Sequence, residues 1–123
     1  MYYVRVKNNV KLAVEDINPK GFKTVLFIHG WPLSQKMFEY QTNILSKLGY
    51  RIVSIDLRGF GKSDTTFDGY SYDQMATDIY DVINQIGLNN IILAGFSMGG
   101  AIVLRYMSLF KGYRVSKLAL LAA

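Results

Sequence analysis

Residues 91–107, IILAGFSMGGAIVLRYM, decide how this chain is organised. Ile91 to Ala94 is a short, continuously apolar run of the kind that a strand buried on both faces presents, and a helical pattern runs from about Met98 to Lys111, with Gly112 after it. Between them Gly95-Phe96-Ser97-Met98-Gly99 sets a serine between two glycines. A tight strand-to-helix turn lifts its central residue into an unusual backbone conformation with the hydroxyl exposed, and glycines on both flanks leave room for that turn. A helix starting at Met98 also aims unpaired N–H groups toward Ser97, so negative charge developing there meets donors and dipole together. Ser97 is therefore the candidate nucleophile. The plain alternative is a serine in a glycine-rich structural turn, and the strand before it and helix after it argue against that.

Reading outward, Val25 to Ile28 and Ile52 to Ile55 repeat the continuously apolar pattern. The first residues differ: Tyr2, Val4 and Val6 alternate with Tyr3, Arg5 and Lys7, Asn8-Asn9 makes a turn, and Leu12 and Val14 resume the alternation, which reads as an antiparallel hairpin. Helical patterns fill the gaps. Met37, Tyr40, Ile44 and Leu48 share a face between a Ser34 cap and Gly49; Met75, Ile79, Val82 and Ile86 share one between Ser71 and Gly87, with capping-box spacing from Ser71 to Gln74. A last strand spans about Val115 to Leu121. The order predicts an α/β fold of about six strands and three helices: one domain over residues 1–123, a mostly parallel sheet with antiparallel first two strands, and helices on both faces. The longest irregular stretch, Asp56 to Tyr70, falls at a strand's carboxyl end, where such sheets gather functional loops.

Half of the residues are apolar, enough for a real core, and no run of about 18 apolar residues is present to span a bilayer. The start MYYVRVKNNV lacks the plan of a signal peptide, and the absence of cysteine excludes disulfides and thiolate chemistry; both fit a cytoplasmic protein. Of the net charge of +5, all but one unit belongs to the tail, because residues 98–123 carry Arg105, Lys111, Arg114 and Lys117 and no acid. Basic groups late in a helix suit its C-terminal carbonyls, and without a basic-aromatic stripe nucleic-acid binding is not expected. A dinucleotide reading of GFSMGG fails on detail: Ser97 stands at the second glycine position, and Lys117 stands about twenty residues on, where a ribose-binding acid belongs.

Two more motifs accompany the serine turn: Phe27-Ile28-His29-Gly30-Trp31-Pro32-Leu33-Ser34 after a buried strand, and Asp56-Leu57-Arg58-Gly59-Phe60-Gly61-Lys62-Ser63-Asp64 after the next. In this order and spacing the chain resembles the α/β-hydrolase superfamily, in particular the cofactor-free haloperoxidase, perhydrolase and arylesterase group of serine hydrolases. The resemblance implies a nucleophilic Ser97 acting on a small ester or acyl substrate, with an oxyanion hole built from the backbone amides of Trp31 and Met98. Pro32 has no N–H to give. It also implies that Gly30, Gly95 and Gly99 support the site and that His29, the only histidine, props the oxyanion loop instead of acting as base. No cofactor and no metal are implied. Asp56, Arg58 and Asp64 read as groups that order the Gly-Phe-Gly loop, and Asp73, Asp78 and Asp81 as a solvated helix face.

In this fold the triad runs serine, then Asp or Glu, then His, and residues 98–123 contain none of these. The resemblance thus predicts that the cap, the last two strands, the acid and the base lie outside this chain, leaving Ser97 without an evident proton acceptor. It also makes edge strand 115–122 a surface for self-association into a homo-oligomer. Two readings follow: an N-terminal part of an ester- or peracid-hydrolysing serine enzyme, weak or inactive alone, and a non-catalytic interaction module that retains the hydrolase core.

Overall fold

The strands whose side chains are apolar on both faces occupy the middle of one six-stranded sheet, as burial on two sides requires. The structure, a computed structural model, describes residues 1–31 and 33–121. The strands are β1 (Tyr2–Val6), β2 (Val10–Ile17), β3 (Thr24–Ile28), β4 (Arg51–Ile55), β5 (Ile91–Phe96) and β6 (Val115–Leu121), in the spatial order β1-β2-β4-β3-β5-β6. β1 pairs antiparallel with β2 and β2 with β4, whereas β4, β3, β5 and β6 run parallel. The opening hairpin turns on Asn8 and Asn9, both at positive φ (65° and 63°), a conformation that asparagine tolerates better than most residues.

Alternate residues of β3 divide the core in two. Leu26 and Ile28 join Val53, Ile55 and Leu93 under α2 (Tyr72–Ile86) and α3 (Met98–Phe110), while Val25 and Phe27 pack with Ile52, Ala94 and Phe38 on the side of α1 (Glu39–Lys47). Helices therefore cover both faces, as the pattern predicts. The α2 face is the one expected, with Met75, Ile79 and Val82 buried, Ser71 accepting from the Gln74 amide at 3.1 Å, and Gly87 closing the helix in the left-handed region. The capping box is only half formed, because the Gln74 side chain donates to Asp78 at 3.0 Å.

The α1 face is a correction. Tyr40 is 74% exposed and Leu48 64%, with Ile44 exposed between them, and Phe38 and Leu45 turn to the sheet instead. The cause is a 3-10 turn, Gln35–Phe38, capped by Ser34 and placed ahead of α1. Its tighter winding advances each side chain by about 120° where an α-helix advances it by about 100°, so the phase read from Met37 onward is lost. Arg105 is a smaller correction: it lies in the middle of α3 and pairs with Asp73 of α2, not with the helix C-terminus.

Asp78 corrects the solvated-face reading of α2 outright. It is buried and accepts from Arg58 Nε and a second guanidinium nitrogen, both at 2.8 Å, and Arg58 is buried with it. At 100° per residue Asp78 lies on the side of Met75, Ile79 and Val82, so the apolar face carries it inward. Burial pushes its carboxyl above the usual range, against the opposing pull of the Arg58 fork. Removing one member of such a pair strands the other charge in the core. Arg58→Met is thus expected to destabilise the fold by about 3–5 kcal/mol, measured as a lowered urea midpoint at unchanged slope; a shift under about 1 kcal/mol would show that Asp78 finds water without Arg58.

Candidate active site

At the carboxyl ends of β3, β4 and β5 three loops converge, each following an apolar strand that fixes where it starts. The first is the β5–α3 turn. Ser97 has φ 55° and ψ −115°, a conformation that a non-glycine residue holds at a strain of about 1–3 kcal/mol. Close packing compels it. A methyl group on Gly95 would stand 2.4 Å from the Gly99 carbonyl oxygen, and one on Gly99 would stand 2.2 Å from the Ile28 oxygen, so strand, turn and helix meet at distances that only glycine permits.

Ser97 occupies the N-cap position of α3 but its side chain makes no capping hydrogen bond. That is unusual for a serine, whose hydroxyl ordinarily accepts from the second or third amide of the helix. The first carbonyl bonds are formed by its backbone, which accepts from Gly100 at 2.9 Å and Ala101 at 3.3 Å. The side chain is exposed, and among the described residues its hydroxyl has no hydrogen-bond partner. Met98 is the first residue of α3, where a helix leaves amides without an intrahelical partner.

The second loop follows β3. A methyl built on Gly30 would come within 3.2 Å of Ser97 Cβ and 3.0 Å of the Phe96 oxygen, which places the His29-Gly30-Trp31 backbone directly beside the serine. Trp31 itself is 67% exposed. His29 is fully buried: its Nε2 accepts from the Leu57 amide at 3.0 Å, which leaves Nδ1 as the protonated nitrogen, donating to the Gly30 oxygen at 2.9 Å. The ring is edge-on to Phe60. Burial holds its pKa below the ordinary value, with the Gly30 carbonyl and Asp56 pulling the other way. Both nitrogens are committed to backbone, so neither is free for Ser97.

The third loop, Asp56 to Ser71, is tied to the second through His29 and Gln35. Asp56, buried at the end of β4, accepts from the Gln35 amide at 2.8 Å with one oxygen and from the Lys62 amide at 3.0 Å with the other. Asp64 accepts from the Lys11 amide of β2 at 2.9 Å, and Ser63 accepts from the Ala13 amide at 2.8 Å. Asp56, Arg58 and Asp64 thus order the Gly-Phe-Gly loop, as the sequence suggests, although the buried Arg58–Asp78 partnership is a tie the sequence reading missed. Among the described residues no group of three or more His, Asp or Glu side chains is placed to hold a metal, and no helix is long and apolar enough to cross a membrane. A cleft of about 610 Å³ opens between Ile17, Ser54, Gln35, Asn43 and Lys62, and Ser97 does not line it.

Comparison with known proteins agrees with this geometry. The family described as alpha/beta hydrolase fold matches residues 23–123. The chain is 52% identical over 122 residues to the AB hydrolase superfamily protein YisY of Bacillus subtilis (strain 168), covering 99% of this chain and 45% of that protein. Among solved structures, an esterase from Exiguobacterium antarcticum superposes with a TM-score of 0.93 at 46% identity, over 98% of this chain and 45% of that one. A bromoperoxidase from Bacillus anthracis superposes with a TM-score of 0.90 at 39% identity, over 97% of this chain and 43% of that one. The chain therefore spans somewhat less than half the length of the relatives it matches. The chain belongs to the alpha/beta hydrolase family, among esterase- and haloperoxidase-like relatives.

Proposed function

We propose that this chain is the nucleophile-bearing part of a serine hydrolase that cleaves small esters or peracids through an acyl-enzyme on Ser97. One observation carries the reading: the Ser97 hydroxyl is exposed and uncapped at the start of α3, on a backbone strained by glycine-only packing. In the reaction Ser97 Oγ adds to the carbonyl carbon, the amides of Trp31 and Met98 receive the oxyanion, and collapse expels the leaving group, which takes up a proton. Water then releases the acid from the acyl-serine. Each oxyanion donor is worth about 2.7–4 kcal/mol in such steps. The acid and base come from a segment outside residues 1–123, because the only histidine of the chain is buried and fully bonded.

Without a base the serine hydroxyl is a poor nucleophile, yet an oxyanion hole and binding alone leave about 10³- to 10⁴-fold catalysis over water. Slow labelling of Ser97 by a fluorophosphonate probe, read by intact mass, is therefore expected and is absent in Ser97→Ala. A chain left unlabelled after prolonged exposure removes residual activity from the isolated chain and favours a non-catalytic module for the chain on its own.

His29 supports the site by joining two loops, and this has a pH signature. The folded state holds it neutral, whereas in the unfolded chain it titrates near its ordinary value of about 6.5. Around that pH the unfolded state binds more proton than the folded state, whose His29 pKa is lowered by burial. Stability is expected to fall as pH drops from 7 toward 5, by at most about 1.4 kcal/mol per pH unit, and the slope should vanish in His29→Gln. A wild-type urea midpoint that stays level across that range contradicts this role.

A second reading concerns the chain on its own. β6 pairs with β5, and among the described residues no strand meets its other edge; Leu118, Leu120 and Leu121 are exposed along it, while Ala122 of the expected 115–122 segment lies outside the described residues. An unpaired apolar edge accepts another strand, and a second copy meeting it antiparallel about Leu118 would set Lys117 opposite Ala119, not opposite another cation. The isolated chain is expected to elute from size exclusion as a dimer or larger, and Leu120→Lys to shift it toward monomer. Monomeric elution of the unmodified chain at micromolar concentration rejects this surface.

A further inference from the structure

We infer that Asp56 is a positioning residue for the oxyanion donor of Trp31, acting as a carboxylate clasp between the loop that follows β3 and the loop that follows β4. The inference rests on the proposed role of Ser97 and Trp31 and adds a residue to it.

The geometry is that of a staple. Both oxygens of Asp56 are occupied by backbone amides from different loops: one accepts from Gln35, four residues beyond Trp31, and the other from Lys62. Among the described residues no Lys or Arg forms an ion pair with this carboxylate, although Asp56 is only 3% exposed. A buried carboxylate without a counterion is expensive unless its lone pairs are satisfied, and here the satisfaction comes entirely from loop backbone. The charge is thereby spent on geometry. The packing agrees: Gly61 sits at φ 52° with its α-carbon against the carboxylate, where an added methyl would lie 2.3 Å from an Asp56 oxygen, so the loop curls as tightly as a chain can.

His29 is the second arm of the clasp. It joins the same two loops from the other end, through the Leu57 amide and the Gly30 oxygen. The Gly30–Ser34 segment is thus held at both ends, by His29 before Trp31 and by Asp56 after it. The Ser63 hydroxyl, donating to the Asp56 carbonyl and accepting from Ala13, fixes the anchor itself to β2. Releasing the Asp56 arm frees the distal end of the segment that carries the Trp31 amide, and a donor displaced by about 1 Å loses about 100-fold in rate.

Trp31 is the only tryptophan of the chain, so its fluorescence reports on this loop alone. The test uses Asp56→Asn, which keeps one acceptor and turns an NH₂ toward the other amide, alongside Tyr106→Phe, which deletes a half-buried hydrogen bond to the Tyr113 carbonyl away from these loops. Time-resolved anisotropy of Trp31 and the fluorophosphonate labelling rate are measured at a pH and urea concentration where all three proteins are folded. Asp56→Asn is expected to give faster local Trp31 motion and labelling slowed by about 10- to 100-fold, with Tyr106→Phe matching the wild type in both. Unchanged Trp31 motion in Asp56→Asn overturns the inference, as does an equal change in Tyr106→Phe, which would mean general loosening. If the wild type is not labelled at all, residual activity of the isolated chain is what fails, and the Trp31 anisotropy still decides the clasp.

Discussion

The fold hangs on the close approach of α3 to the ends of β3 and β5. Gly99 lies so near the Ile28 and His29 carbonyls that a single added carbon would overlap them, and Gly95 stands in the same relation to the first turn of the helix. This contact sets the direction of α3, and with it the packing of α3 on α2 and the position of Tyr106, whose hydroxyl donates to the Tyr113 carbonyl at 2.7 Å ahead of β6. It also dictates the Ser97 backbone. A residue at the apex of so short a turn has no unstrained conformation open to it, and the strain is carried by the many apolar contacts of β3, β5 and α3 around it.

Around that fixed turn the other two loops are held by polar groups that point inward. Arg58 with Asp78, Asp56 with two amides, His29 with two backbone groups and Ser63 with Ala13 all lie between the sheet ends and the loop over them. Such groups add little net stability compared with apolar residues of the same volume, since their desolvation opposes the bonds they make. What they supply is uniqueness: each must find its partner, so only one arrangement of the loops satisfies all of them. A loop region of some sixteen residues without helix or strand, residues 56–71, keeps a defined shape for this reason.

The same physics explains which features could be read from the sequence. Strand runs at 25–28, 52–55 and 91–94 are visible because burial on both faces demands continuous apolar character, and α2 is visible because one face is buried over four turns. Asp78 escaped because a charged residue on an apolar face looks like an exception until its partner, twenty residues earlier in a loop, is known. Its phase with Met75 and Val82 was the available signal. The face of α1 escaped because periodicity assumes one winding, and the 3-10 turn at Gln35–Phe38 resets it. The site motifs were readable as glycines and a serine, but the Asp56 clasp was not, because backbone amides leave no mark on a sequence.

The arrangement separates placing a serine from activating it. Everything that places Ser97 is local: a turn and a helix start, with the loop after β3 beside them, on strands that pair directly with one another. Activation needs a side chain that exchanges protons, and the one imidazole of this chain has been removed from that work by burial, with one nitrogen accepting and the other donating to backbone. Buried this way, His29 favours its neutral form, the form in which one nitrogen accepts and the other donates across its two loops. Protonation at Nε2 would set two N–H donors face to face at the Leu57 contact and part the loops. Acid therefore loosens, through the scaffold, the tie that His29 makes between the two loops beside Ser97.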